Sequence, residues 1–334
     1  LLVFVFTVES VLCTVKSNQD DERTRYERLG YRILPGVAPM DLVDHARQVL
    51  NVAHQHGLAI PMLGPKSGQI STTRLFNPIA LDLAFGRFLE LIPAELDAHL
   101  KEILGPWFVG SFHAHTAWPT AEAIEVKRVE NLHVDYPFGS HAFDVHDAAG
   151  VSRHSVNPHY PKTVQILVML DDFTELSGGT RIVPGSHKES SGPDSHDQGN
   201  LTRFLDEGIV IEGRAGDMLM YSGQLWHANG ANTGTVSRHA LLIQCLPFYV
   251  RPMESHARTL PIGIVRQLSP VLRQRLGIKP EFKFAFDSPI LFPPMSTVDF
   301  VKDMLQFGEF NATAVATTYL YGLLVALALL TISP

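Results

Sequence analysis

His133-Val134-Asp135 sets an imidazole and a carboxylate two residues apart, directly after the run Val129-Glu130-Asn131-Leu132. In a β-strand the side chains at i and i+2 share a face, so this pair can converge on one metal ion without bending the backbone. Two ligands do not hold an ion. The candidate for a second imidazole is His227, in Leu225-Trp226-His227-Ala228-Asn229-Gly230, 92 residues beyond Asp135. Two His and one carboxylate on one face of a metal leave adjacent positions open, the arrangement in which non-haem Fe(II) holds a chelating cosubstrate and dioxygen together. A structural zinc site would fill its positions instead. The chain has 16 His, and near misses such as His141-Ala142-Phe143-Asp144 and His146-Asp147 show that His-x-Asp alone is a weak signal. Arg238 adds to it, 11 residues after His227. A cosubstrate that chelates iron at one end and carries a carboxylate at the other needs a buried cation, and a guanidinium supplies two parallel hydrogen bonds. The plainer reading of Arg238 pairs it with a surface acid.

The elements that must position these residues change character along the chain. Asp20 to Gly30 is charged and helix-like, and Tyr31–Gly36 reads as a short strand into a turn. Leu42, Val43, Ala46, Val49, Leu50 and Ala53 recur at helical spacing, with Asp41 available as a cap. Further helices are expected over Ile79–Leu91 and Pro93–Leu104, the latter with Pro at a tolerated first-turn position. From Trp107 onward short apolar runs are divided by Gly, Pro, Asp and Asn: Trp107–His113, Ala123–Val134, Thr163–Leu170, Thr180–Val183, Ile209–Glu212, Asp217–Tyr221 and Ser237–Tyr249. This is the pattern of an antiparallel sandwich or barrel with helices leading in. A helix over Gln267–Leu276 and an irregular segment over Phe282–Pro294 follow. The long stretch Tyr136–Lys162 carries His141, His146, His154 and His159, and its place right after the ligand pair suits a lid or substrate wall. The tight turn Pro184-Gly185-Ser186-His187 makes His187 a structural hydrogen-bonder, and Trp226 reads as core packing.

The 334 residues suffice for one large domain or two small ones. Hydrophobic residues at 45% and charged residues at 18% exclude a disordered or collagenous chain. With 34 Asp+Glu against 27 Lys+Arg the net charge is -7, so nucleic acid is not an expected partner. Cys13 and Cys245 cannot build a disulfide framework and leave the compartment open, a cytoplasmic catalytic region being the working expectation. Residues 1–19 read as a hydrophobic leader or fragment, 20–295 as the catalytic domain, and 310–334 as an apolar segment. Within the last, Ala312–Ile332 carries no charge over 21 residues, enough for a helix at about 1.5 Å per residue to cross about 30 Å of hydrocarbon. It is a candidate membrane anchor, or else a terminal helix packed on protein. Asn200 and Asn311 begin N-x-Thr triplets that matter only in a secreted chain.

Taken together, His133-Val134-Asp135, Leu170-Asp171-Asp172-Phe173-Thr174, Gly178-Gly179-Thr180-Arg181-Ile182-Val183-Pro184-Gly185-Ser186-His187, Gly216-Asp217 with Leu225-Trp226-His227, Arg238 and Arg251-Pro252-Met253-Glu254 stand in the order and spacing of the phytanoyl-CoA dioxygenase family, which the chain resembles over about residues 25–280. The resemblance implies a mainly β fold with flanking helices, a double-stranded β-helix (jelly-roll, cupin-like) core, and Fe(II), 2-oxoglutarate and O2 as cofactor and cosubstrates. It implies that His133, Asp135 and His227 bind iron and that Arg238 binds the distal carboxylate of 2-oxoglutarate, with succinate and carbon dioxide released. Asn131 stands where many relatives have Gln, and Asn229 where several have Ser; both can hydrogen-bond a carboxylate. Gln165 is a further candidate cosubstrate contact, or a strand residue satisfying neighbouring backbone. Related halogenases replace the carboxylate at the position of Asp135 with a small residue, so hydroxylation is the default outcome, with desaturation or cyclisation open to the same chemistry. No basic cluster is evident for the phosphates of a CoA thioester, so the expected substrate is a small or medium organic molecule. The rival readings are a catalytically inactive metal-binding homologue acting as sensor or scaffold, and a membrane-anchored binding protein.

Overall fold

The computed structural model describes residues 22–63, 70–120, 130–135, 144–146, 152–154, 163–189, 192–193 and 197–278. The chain divides into two compact units, Leu1–Lys279 and Pro280–Pro334, and every described residue lies in the first. The hydrophobic leader, the segment Phe282–Pro294, the apolar stretch Ala312–Ile332 and Asn311 therefore fall outside the described residues. Among the described residues no helix is long and apolar enough to cross a membrane.

Helix α1 (22–29) leads into β1 (Tyr31–Leu34), then α2 (Met40–Gln55), β2 (Ile60–Leu63), β3 (Ile70–Phe76), α3 (Ala84–Glu90), α4 (Ala94–Leu104) and β4 (Trp107–Ala117). There follow β5 (Glu130–His133), β6 (Asp144–His146), β7 (Ser152–His154), β8 (Val164–Met169), β9 (Arg181–Ile182), α5 (Gln198–Glu207), β10 (Ile209–Val210), β11 (Met218–Ser222), β12 (His227–Asn229) and β13 (Arg238–Pro247). Short helices α6 (His256–Thr259), α7 (Ile262–Gln267) and α8 (Pro270–Arg275) close the described chain.

A seven-stranded antiparallel sheet runs β1-β11-β8-β13-β4-β3-β2, and a four-stranded sheet runs β10-β9-β12-β5. Strand alternation assigns the faces of the large sheet. Ile166 and Val168 of β8, Leu241 and Ile243 of β13, and Phe112 and Ala114 of β4 join the helices in one core. Leu167 and Met169, Leu219 and Tyr221, and Ala240 face the other way and share a second core with Ile182 of the small sheet. The space between the two sheets is the jelly-roll interior. A third cluster, Leu132, Val134, Val183, Phe204, Trp226 and Ala228, lies under α5.

Helix α2 forms as its spacing predicts, with Leu42, Val43, Ala46, Leu50 and Ala53 buried in the helical layer. Its N-cap is the extended Pro39; Asp41 makes no cap hydrogen bond and sits in the first turn, where a negative charge complements the helix dipole. The expected helix Ile79–Leu91 is split into a 3-10 turn, Pro78–Ala80, and α3, because Asp82 Oδ1 accepts the N–H of Ala84 at 2.8 Å and starts the helix afresh. The helix expected over Gln267–Leu276 forms as α8, starting later because Pro270 begins it and Ser269 caps it by accepting the N–H of Leu272, while α7, which ends at Gln267, precedes it and was not expected. The strand expected over Trp107–His113 runs on to Ala117, and β4 carries one extra residue against β13: Gln244 pairs with Ser111 and Cys245 with Val109, so Gly110 is bulged out. Strands β2 and β3 and helix α5 were not expected. Of the expected strand Ala123–Val134, residues 121–129 lie outside the described ones. Within Tyr136–Lys162, β6 and β7 pair as a hairpin, so that stretch is not all loop.

Candidate metal centre

Strands β5 and β12 pair so that His133 stands directly opposite His227. The two rings lie 4.2 Å apart between centroids, and Asp135 follows His133 by the expected two residues. His133 Nε2 is 3.6 Å from Asp135 Oδ1, and His227 Nε2 is 3.5 Å from Asp135 Oδ2. These distances are too long for good hydrogen bonds. They suit three ligands converging on one ion, and one ligand atom from each residue lies within 4.8 Å of the others. Asp135 Oδ2 is buried without a hydrogen-bond partner, a cost that a cation would relieve. His227 Nδ1 lies 2.9 Å from the Leu225 carbonyl, so that nitrogen carries the proton and the lone pair of Nε2, facing the carboxylate, is left for a metal. The Asp135 N–H donates to Gly223 O at 2.7 Å and fixes the backbone beneath the carboxylate. The donor set fits a divalent transition metal with open positions.

Burial pushes the Asp135 carboxyl up, but His227, His133 and Arg74 around it outweigh burial and hold it down at about 2. Burial, then the neighbouring His133, lowers His227 to about 4. An ionised carboxylate beside the neutral His227 imidazole is the protonation state that metal binding requires.

Arg238 opens β13 on the interior face and is 2% exposed. No carboxylate among the described residues forms an ion pair with it, so the surface-acid reading of this residue does not hold. Its guanidinium donates to the Gly178 carbonyl and lies 4.2 Å over the Phe173 ring, while its Nε is buried without a partner. Gln165 is buried on the interior face of β8, beside Tyr221 and Gln244 in register. Asn229 ends β12 opposite Glu130. Asn131 lies in β5, with its side chain outside the described part. His187 Nε2 pairs with the Glu27 carbonyl at 3.2 Å, as expected of a structural residue, and Trp226 is buried under Arg203. Cys245 is buried and free.

Several residues of the interior were not singled out from sequence. Tyr221 presents its ring edge to His227 at 5.1 Å between centroids. Arg74, on β3, pairs in register with His115 and projects its charge onto Asp135, His227, His113 and His115. Burial, then Arg74, lowers His113 to about 3, and burial, then Arg238, takes His115 well below its ordinary value, so both rings are neutral. The interior thus holds a second guanidinium group besides Arg238, that of Arg74, whose charge reaches Asp135. The signal that could have found Arg74 was the alternation Thr73-Arg74-Leu75, in which the two flanking residues are buried toward the helical layer.

The two sheets have a jelly-roll architecture, with His133, Asp135 and His227 brought together by β5 and β12. HygX of Streptomyces hygroscopicus, solved with nickel and 2-oxoglutarate bound, shares the fold at 16% identity and a TM-score of 0.50, over 70% of this chain and 89% of that one. Residues 91–240 match the family described as phytanoyl-CoA dioxygenase (PhyH). A dioxygenase of Alternaria alternata is 32% identical over 130 residues, 39% of this chain and 40% of that protein. A dioxygenase of Gibberella moniliformis is 32% identical over 155 residues, 46% of this chain and 47% of that protein. The chain spans less than half the length of these relatives.

Proposed function

We propose that this chain is a non-haem Fe(II)- and 2-oxoglutarate-dependent dioxygenase that hydroxylates a small or medium organic molecule, releasing succinate and carbon dioxide. One observation carries the reading: a buried, partnerless carboxylate oxygen of Asp135 faces the Nε2 atom of His227, with His133 on its other side, in a chamber that also holds the unpaired cation Arg238.

His133, Asp135 and His227 would hold Fe(II), with Leu225 fixing the tautomer of His227 and Gly223 fixing the backbone of Asp135. The iron, when bound, supplies the oxygen-activating redox chemistry, and the protein supplies binding and orientation. Arg238 would receive the distal carboxylate of 2-oxoglutarate, and Arg74 adds a second positive charge that favours anions in the same chamber. Gln165 and Asn229 offer amide groups to the cosubstrate, and Asn131 is proposed for the same role from its place in β5. His113 and His115, neutral and buried, add no charge that would compete with Arg238 for an anion.

The test is succinate release by the purified chain given Fe(II), 2-oxoglutarate and oxygen, beside Asp135→Ala. Slow turnover in the wild type that vanishes in the variant, together with loss of tightly held iron, is expected. Equal turnover in both would remove Asp135 from the site. Absence of turnover and of 2-oxoglutarate binding would make the chain the inactive metal-binding homologue.

A further inference from the structure

Two motif blocks of the sequence, Asp171-Asp172-Phe173-Thr174 and Gly178-Gly179-Thr180, hold neither metal nor open chamber, yet both converge on Arg238. Phe173 is 1% exposed, and the guanidinium carbon of Arg238 lies over its ring, 4.2 Å from the centroid. The Gly178 carbonyl accepts one Nη2–H from the edge. That carbonyl is aimed by a backbone only glycine adopts readily: Gly178 has a φ of +76°, and a Cβ there would meet Gly230 O at 2.7 Å and Asn232 N at 2.9 Å. Asp171 is an acid whose charge Arg238 feels, and it is occupied elsewhere. Its oxygens accept from Arg47 Nη1 at 2.9 Å and from the backbone and ring nitrogens of His239, both at 2.7 Å.

A long, buried arginine with no carboxylate partner has several rotamers open to it, and only the fraction in the competent one binds. Here the ring removes the freedom to tilt, the carbonyl removes the freedom to rotate, and neither neutralises the charge. A carbonyl carries only a partial charge, and an aromatic face attracts a cation without forming an ion pair. We propose that Phe173 and the Gly178 carbonyl are positioning residues that clamp Arg238, keeping an unneutralised guanidinium in one orientation for the distal carboxylate of a 2-oxo diacid. The proposal rests on the 2-oxoglutarate reading above.

The experiment compares two ligands on the Fe(II)-loaded chain under anaerobic conditions, by calorimetry. 2-Oxoglutarate carries the distal carboxylate, whereas 2-oxobutyrate keeps the chelating half and lacks it. Their affinity ratio isolates what Arg238 contributes, and general damage to the fold or the metal site moves both ligands together. In Phe173→Leu, 2-oxoglutarate is expected to weaken roughly tenfold with 2-oxobutyrate unchanged, and in Phe173→Tyr, which keeps the ring face, the wild-type ratio is expected to return. Arg238→Ala is the control and should bring the ratio close to one. If Arg238→Ala collapses the ratio while Phe173→Leu leaves it as in the wild type, the clamp is refuted and the cosubstrate reading stands. If Arg238→Ala itself leaves the ratio unchanged, the cosubstrate reading fails and the clamp falls with it. Gly178→Ala, which displaces the carbonyl, serves where Phe173→Leu does not fold, and the same ratio decides.

Discussion

Asp171 ties the helical layer to the start of β13, and its removal can be worked through from the hydrogen bonds it accepts. The carboxylate is only 21% exposed and takes three of them: Arg47 Nη1 from α2, and the backbone N–H and ring Nδ1 of His239, whose side chain is 5% exposed. In Asp171→Ala the two His239 donors lose their acceptor away from water, at about 1–3 kcal/mol for each orphaned buried donor. The Arg47 contact is closer to solvent and adds less than about 1 kcal/mol. The expected loss is therefore about 4 kcal/mol, or roughly 10 °C in Tm for a domain of this size. Urea unfolding should show a lower midpoint with an unchanged slope. The pH dependence follows from the same contacts. Burial alone would raise the Asp171 carboxyl, but the bonds from His239 and Arg47 outweigh it and hold the carboxyl below the ordinary 3.8. A carboxyl lowered on folding contributes stability above its unfolded value and loses it as the pH falls through the folded one. The gap between wild type and Asp171→Asn should thus be steady from pH 7 to about 5 and close below 3.8. A loss under about 1 kcal/mol in Asp171→Ala would refute the additive reasoning from orphaned donors.

Gly223→Ala should disturb the metal strand from behind, because its Cβ would stand 2.1 Å from Thr163 Cγ2 while its carbonyl holds the Asp135 N–H. A stability loss of about 1–3 kcal/mol and weaker iron retention are expected, with partial recovery in the double variant Gly223→Ala/Thr163→Ser, measured by unfolding and by iron content after gel filtration. Burial pushes the Glu254 carboxyl up to about 7, against hydrogen bonds from Ser111 and the Phe112 N–H. A carboxyl raised on folding gives stability that is present below its unfolded value of 4.5 and is lost as the pH rises to about 7. Glu254→Gln should therefore gain on the wild type by up to about 3 kcal/mol at pH 8 and lose that advantage below pH 5, and a flat difference across that range would count against the burial argument.

The placing of His133 beside Asp135 and of Arg238 in a buried strand was legible because their spacing is local or tied to strand periodicity. His133 and Asp135 share a face by the two-residue repeat, and Arg238 begins a strongly apolar, strand-like run. That His227 would pair in register with His133 was not legible, since 94 residues separate them and register is set by the folded sheet. Strand β3 was missed because Ile70-Ser71-Thr72-Thr73-Arg74-Leu75-Phe76 mixes polar residues into both faces, and with it Arg74. Helix α5 was missed because Phe204 is its single buried residue, so its start is marked by the Asp197 cap alone. The late start of α8 was readable from Pro270, which is tolerated in the first turn of a helix and not further inside it.

The bulge at Gly110 bears on which mutations of length this fold tolerates. Trp107 and Val109 point to the helical layer at odd positions, while Phe112 and Ala114 do so at even ones, and the change of parity falls on the residue that β13 leaves unpaired. A one-residue deletion elsewhere in β4 would turn His113 and His115 out of the chamber and Phe112 into it. Deleting Gly110 itself leaves every other residue on its own face. What it removes is a carbonyl that accepts the Glu254 N–H at 2.9 Å, next to the Phe112 N–H that donates to the Glu254 carboxylate at 3.2 Å. The extra residue is therefore a hitch for the chain returning after β13, and the strand would keep its facing without it.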